Sequence, residues 1–110
     1  MIVTTTETVE NRSIQEYLGL VAGESILDEK VAKEMLTGIA GAVSESYETY
    51  KNKMTQSRLA ALEQMKAKAE KMGADAIVAI DFDYAVLHDD MLMITASGTA
   101  VKLAESVLSM

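Results

Sequence analysis

Two strand-like runs in the C-terminal third constrain this chain more than any other feature. Ala76-Ile77-Val78-Ala79-Ile80-Asp81-Phe82-Asp83-Tyr84 and Met91-Leu92-Met93-Ile94-Thr95-Ala96-Ser97-Gly98-Thr99-Ala100-Val101 flank His88-Asp89-Asp90. Both show the period of two that an extended strand imposes on its side chains. In the first run Ala76, Val78, Ile80, Phe82 and Tyr84 share one face, and Ile77, Ala79, Asp81 and Asp83 the other. In the second, Leu92, Ile94, Ala96, Gly98 and Ala100 alternate with Met93, Thr95, Ser97, Thr99 and Val101. A hairpin closed by a three-residue loop, His88 to Asp90, pairs Leu87 with Met91, Asp83 with Thr95 and Asp81 with Ser97. Polar sides then coincide, and so do apolar sides. One more residue in the loop would set Asp83 opposite Ala96 and bury a carboxylate, so matching of faces selects the shorter loop.

The apolar face of such a hairpin calls for a helix, and one precedes it. From Tyr47 to Met72, Tyr50, Met54, Ala61, Leu62, Met65, Ala69 and Met72 form a stripe at threes and fours. Gly73 follows in the C′ position, with Lys71 in the last turn. At ~1.5 Å per residue this helix is about 40 Å long, more than the width of a compact domain of this size. Either the helix breaks near Asn52 or, the preferred reading, part of it packs against another subunit, since a protruding stripe of Met and Ala would otherwise stay wet. Upstream, Asp28 is placed to cap a shorter helix carrying Val31, Met35, Leu36 and Ile39, with Ser44 to Ser46 as a polar break. Ile2 to Thr6 reads as a short strand and Thr8 to Ser13 as a turn. Ile14 to Ile26 is extended but interrupted by Gly19 and Gly23, the signature of a bulge or a close backbone approach. The whole of 1–110 is then one α+β domain: an antiparallel sheet with a C-terminal hairpin, packed on one long helix plus a shorter one.

Composition narrows the function. With 17 acidic against 10 basic residues the net charge is −7, which disfavours nucleic-acid backbones and anionic membranes and suits cationic ligands. No apolar run approaches the ~20 residues of a membrane span, and the N-terminus lacks a basic region followed by an apolar stretch. A cytoplasmic location is expected. The absence of cysteine excludes thiolate metal sites and thiol nucleophiles. Eight methionines, spread over helix and strand positions, read as core filler.

The chemistry-bearing candidates gather on the polar face of the hairpin. Asp81 and Asp83 project the same way, two residues apart, and could hold a divalent hard cation with hydroxyls or waters completing its shell. Two such carboxylates could also act in acid–base work, but an Asp-x-Asp alone is a weak signal, and a solvated face or pairing with a neighbour's Lys or Arg is the favoured reading. Thr95, Ser97 and Thr99 are hydroxyls facing the same side, and Glu24 stands at the end of the earlier strand. His88-Asp89-Asp90 with Met91 and Met93 could clip a softer ion, but a solvated hairpin tip, where Asp is simply a good turn former, is the favoured reading. No nucleophilic triad, phosphate loop or dinucleotide fingerprint is present, so no catalytic residues are assigned. An acid–base enzyme and a docking module presenting the methionine-rich helix face are the alternatives to a ligand-binding assembly.

With these segments in place the chain resembles the YbjQ-like family, also known as a heavy-metal-binding domain family. The resemblance rests on Met1-Ile2-Val3-Thr4-Thr5-Thr6, on Glu16 through Glu24, and above all on Gly73 through Tyr84 and Met91 through Val101. It implies a small α+β subunit like that of the dodecins, assembled with itself as a pentamer ring, sometimes two rings stacked. It implies no established activity. Where relatives often carry Gly-Gly-Arg-Ser ahead of the long helix, this chain has Ser44-Glu45-Ser46-Tyr47. Where some have cysteine after the tyrosine it has Leu18, so a soft-metal site built on that cysteine cannot exist here.

Overall fold

The computed structural model describes residues 1–28, 43–88 and 91–105. The chain forms β1 (Ile2–Val3), β2 (Ile14–Asp28), α1 (Val43–Lys71), β3 (Ala76–His88) and β4 (Met91–Leu103), and the strands join in one sheet of order β1-β3-β4-β2. The sheet is mixed rather than purely antiparallel, because β1 runs parallel to β3, Ile2 beside Ala76 and Val3 beside Ile77. A parallel pair needs a crossover, and here β2 and α1 together supply it. Alternation within a strand carries no information on direction, so the sequence pattern could not show this. The shorter helix expected from Asp28 falls on residues outside those described.

The long helix is continuous from Val43, so the break expected at Ser44 to Ser46 does not occur. At its other end the close is the one the sequence announces. Gly73 has φ +81°, its N–H donates to Glu70 O at 3.0 Å, and the Ala74 N–H donates to Ala69 O at 3.1 Å. These two bonds are the Schellman pattern, with Lys68 and Lys71 in the last turn facing the negative end of the helix dipole. Ala61, Met65 and Ala69 are fully buried against the sheet, with Met54 and Leu62 packed at their margin. Most of this contact is to β2 and β4; the helix barely reaches β3.

Gly23 is what lets α1 come so close. A Cβ there would overlap the carbonyl oxygen of Ala61 and stand 2.7 Å from the Met65 nitrogen, two atoms of the same turn of helix backbone. Gly19, at φ +136°, sits where the β2–β4 register shifts. The two glycines that interrupt the extended pattern are thus a close approach and a bulge within a single 15-residue strand.

The hairpin keeps Asp81 opposite Ser97 and Asp83 opposite Thr95, as the matched faces require. At its tip a register shift pairs His88, not Leu87, with Met91, so the three-residue loop is replaced by a longer ladder around a bulge. A second bulge lies between Val78 and Asp81, where Ala79 adopts φ +55°. This changes the expected faces of β3. Beyond the bulge, Ile80 and Phe82 point to the helix as expected; before it, Ile77 does so, while Ala76 and Val78 turn to the opposite side. There they join Val101 and Leu103 in a second buried cluster, covered by Val9 and Ile14. Gly98 faces the bulge, and a Cβ on it would stand 2.7 Å from the Ile77 Cγ2. The absence of a side chain there lets Ile77 and Ile80 close over β4. In β4 the alternation holds throughout: Leu92, Ile94, Ala96 and Ala100 are buried beneath the helix.

The protein is elongated. Its radius of gyration is 18.0 Å, with extents of 63 × 27 × 19 Å, against about 13 Å for a compact domain of ~100 residues.

Candidate functional site

The face of the sheet turned away from α1 collects Asp81, Asp83, Glu24, Thr95, Ser97 and Thr99, while the His88-Asp89-Asp90 clip falls in part on residues 89–90, outside those described. Because β4 is central, its ladders to both neighbours place residues in rows. One row reads Glu24, Thr95, Asp83, and the next Ala22, Ser97, Asp81. A third reads Leu20, Thr99, Val78, and beyond the acidic rows Ile26, Met93 and Ala85 form an apolar one. Asp81, Asp83 and Glu24 are exposed; Thr95, Ser97 and Thr99, on the middle strand, are half-buried. Neither aspartate makes an ion pair or side-chain hydrogen bond among the described residues.

Next to the acidic rows lies an open hollow of about 430 Å³. Leu20, Ala22, Ala79, Ser97 and Thr99 line it, so the hydroxyls sit where it meets the aspartate side. The small residues Ala22, Ser97 and Gly98 line it beside the Ala79 bulge. Another hollow, about 460 Å³, lies at the Thr8–Ile14 turn near Tyr17, away from the acidic rows. There Arg12 Nε donates to Ala104 O at 2.9 Å and the Ala104 N–H donates to Ser13 O at 2.9 Å, tying the end of β4 to the turn. Sequence reasoning passed over this residue, since an isolated arginine in a polar turn carries no pattern.

The model for the family described as "Putative heavy-metal-binding" (YbjQ) matches residues 1–104. The chain belongs to this family. It is 44% identical over 105 residues to a UPF0145 protein of Anoxybacillus flavithermus, covering 96% of this chain and 100% of the relative. A UPF0145 protein of Geobacillus kaustophilus is likewise 44% identical over 103 residues, covering 94% and 98%. Among solved structures, a protein of unknown function from Pediococcus pentosaceus, placed in the DUF74 family, superposes with a TM-score of 0.59. It shares 18% identity, with 94% and 98% of the two chains covered, and that likeness is one of fold.

The YbjQ family description can be tested against the donors present. Heavy, soft ions favour thiolate and imidazole, and this chain has no cysteine and one histidine. Among the described residues no three of His, Cys, Asp and Glu lie close enough together to hold a metal ion. Glu24 and Asp83 share a row but stand two strand spacings apart, about 10 Å, beyond the reach of one ion with ~2.0–2.6 Å ligand distances. Within one chain the described residues do not compose a heavy-metal centre. What they offer is a carboxylate pair flanked by hydroxyls, a set suited to hard cations or to a cationic group. Of the methionine-rich helix stripe, Met65 with Ala61 and Ala69 is buried on the chain's own sheet, while Met72 is exposed. No helix among the described residues is long and apolar enough to cross a membrane.

Proposed function

We propose that this chain is a non-enzymatic, self-assembling subunit, built as a pentamer ring or a stacked pair of rings. In this reading it binds a divalent cation or a small cationic ligand on the outer face of its sheet, where subunits meet. One observation carries it: the strand register gathers Asp81, Asp83, Glu24, Thr95 and Ser97 on a single face, acidic and hydroxylated, beside a hollow. A lone carboxylate pair on one chain is a weak ligand set, and symmetry repeats it around an axis. The elongated shape and the exposed Leu20 and Ile26 on the same face suit burial against another copy.

Titration calorimetry with Ca²⁺, Mg²⁺, Zn²⁺ and Ni²⁺ on the wild type and on Asp81→Asn/Asp83→Asn tests the ligand half. Heats present in the wild type and absent from the double variant support it. Identical heats in both remove the two aspartates from the site. Native mass spectrometry of the untreated protein tests the assembly half.

A further inference from the structure

Arg12 is held in place by the backbone at one edge and left open at the other. The turn that carries it is closed by the Arg12 N–H donating to Val9 O at 3.2 Å, with Asn11 at φ +67°, a left-handed conformation that asparagine tolerates. The side chain then reaches the end of β4, where Nε donates to Ala104 O at 2.9 Å. That bond fixes the plane of the guanidinium. It leaves both Nη nitrogens without a protein acceptor, and the side chain without a carboxylate partner, among the described residues. No buried side-chain nitrogen or oxygen among those residues lacks a partner, so the Nη nitrogens reach solvent.

Arg12 lines the hollow of about 460 Å³ at this turn, a volume in the range of small-molecule sites. Thr8, Asn11 and Ser13 border it with polar groups, and Tyr17, 70% exposed, with an aromatic ring. Glu7, Glu10 and Glu16 are near in sequence, yet none of them lines the hollow. Two N–H groups side by side on a rigid plane match two oxygens of a carboxylate or a phosphate. A guanidinium already fixed along its Nε edge loses little further freedom in gripping them. The net charge of −7 repels anions at long range, but salt screens that repulsion beyond about 8–10 Å, so the short contact decides.

We propose that this hollow binds an oxyanion group, carboxylate or phosphate, carried on a small molecule with a flat apolar part. The Nη pair of Arg12 takes the oxyanion, and the exposed ring of Tyr17 takes the apolar part. The site lies away from the acidic rows and goes beyond the cation reading above, so each can stand without the other.

Ligand-observed fluorine NMR on the full chain at fixed ionic strength tests this. The probes are para-fluorobenzoate and para-fluorophenyl phosphate, with para-fluorobenzyl alcohol as the neutral control. The wild type should broaden the anion signals and leave the alcohol sharp, and the anion broadened more strongly names the group that the fork accepts. Arg12→Met should weaken anion binding at least about tenfold. Arg12→Lys, which keeps the charge and loses the fork, should weaken it several-fold. Tyr17→Ala, at an exposed position, should weaken it as well, and it decides the matter where an Arg12 variant fails to melt cooperatively by circular dichroism. Asp81→Asn/Asp83→Asn should bind the anions as the wild type does. A wild type that leaves both anions sharp overturns the proposal, and so does broadening that survives Arg12→Met and Tyr17→Ala alike. An alcohol bound as tightly as the anions overturns the role of the charge, and Arg12→Lys binding like the wild type overturns the two-pronged grip. Loss of anion binding in the double aspartate variant overturns the independence of the two sites.

Discussion

Gly23→Ala is the sharpest test of how the helix sits on the sheet. The added methyl group would overlap Ala61 O and lie 2.7 Å from the Met65 nitrogen. Those atoms are the two ends of one i→i+4 hydrogen bond, so neither can move without the helix. Restoring an ordinary ~3.5 Å contact lifts α1 by roughly 1 Å, and a gap of that size forfeits a quarter to a half of the dispersion well for the groups that face it. Met65, fully buried beside Gly23, contributes about 1.5–3 kcal/mol by its burial. Ala61 and Ala69 lose contacts along with it. Overpacking of this kind costs about 1–3 kcal/mol, against a gain of about 0.4–1 kcal/mol from the stiffer unfolded chain. At the middle of both ranges the expected net loss is about 1.3 kcal/mol, a fall in Tm of roughly 5–10 °C for a domain of this size. Urea unfolding followed by circular dichroism, at two protein concentrations to separate folding from assembly, measures it. A midpoint equal to or above that of the wild type would refute the seating of α1 on Gly23.

Three further outcomes follow from the same packing. Met65→Ala should cost about 2–5 kcal/mol in the same unfolding assay, because the side chain is wholly enclosed. Gly73→Ala should cost about 1–2 kcal/mol, since its φ of +81° belongs to the left-handed region; thermal melts would show it as a lower Tm with an unchanged helical signal. Arg12→Met removes the donor to Ala104 O and should cost about 1 kcal/mol, read most directly as faster amide exchange at Ala104.

The features written in single-residue chemistry were legible in the sequence. Gly73 announces the helix end, and the β4 alternation gives the two faces of the central strand. The demand that carboxylates avoid the core sets Asp81 and Asp83 opposite Ser97 and Thr95. The acidic rows were legible for the same reason, since from Asp81 to Ala85 the alternation is unbroken, whereas the hollow beside them, lined by the Ala79 bulge, was not. What the pattern hid was non-local. The parallel sense of β1 depends on a crossover path, not on side chains. The bulge at Ala79 places an alanine at positive φ, held there by Thr4 and Thr6 carbonyls from the start of the chain, and an uninterrupted Ala-Ile-Val-Ala-Ile run gives no hint of it. The serines at the start of α1 read as a break because hydroxyls compete for backbone bonds, yet the helix runs through them.

The Ala79 bulge also divides the domain into two mechanical regimes. On one side of it Ala76, Ile77 and Val78 are buried in succession, clamped between the helix and the Val9–Ile14 cover. On the other side only Ile80 and Phe82 still pack on the core, and from Tyr84 to Leu87 every side chain meets solvent. Amide exchange along β3 should therefore quicken past Phe82, with Val78 released only by global unfolding and the far end by local fraying. One strand thus anchors the subunit at its first half and leaves its second half free to yield.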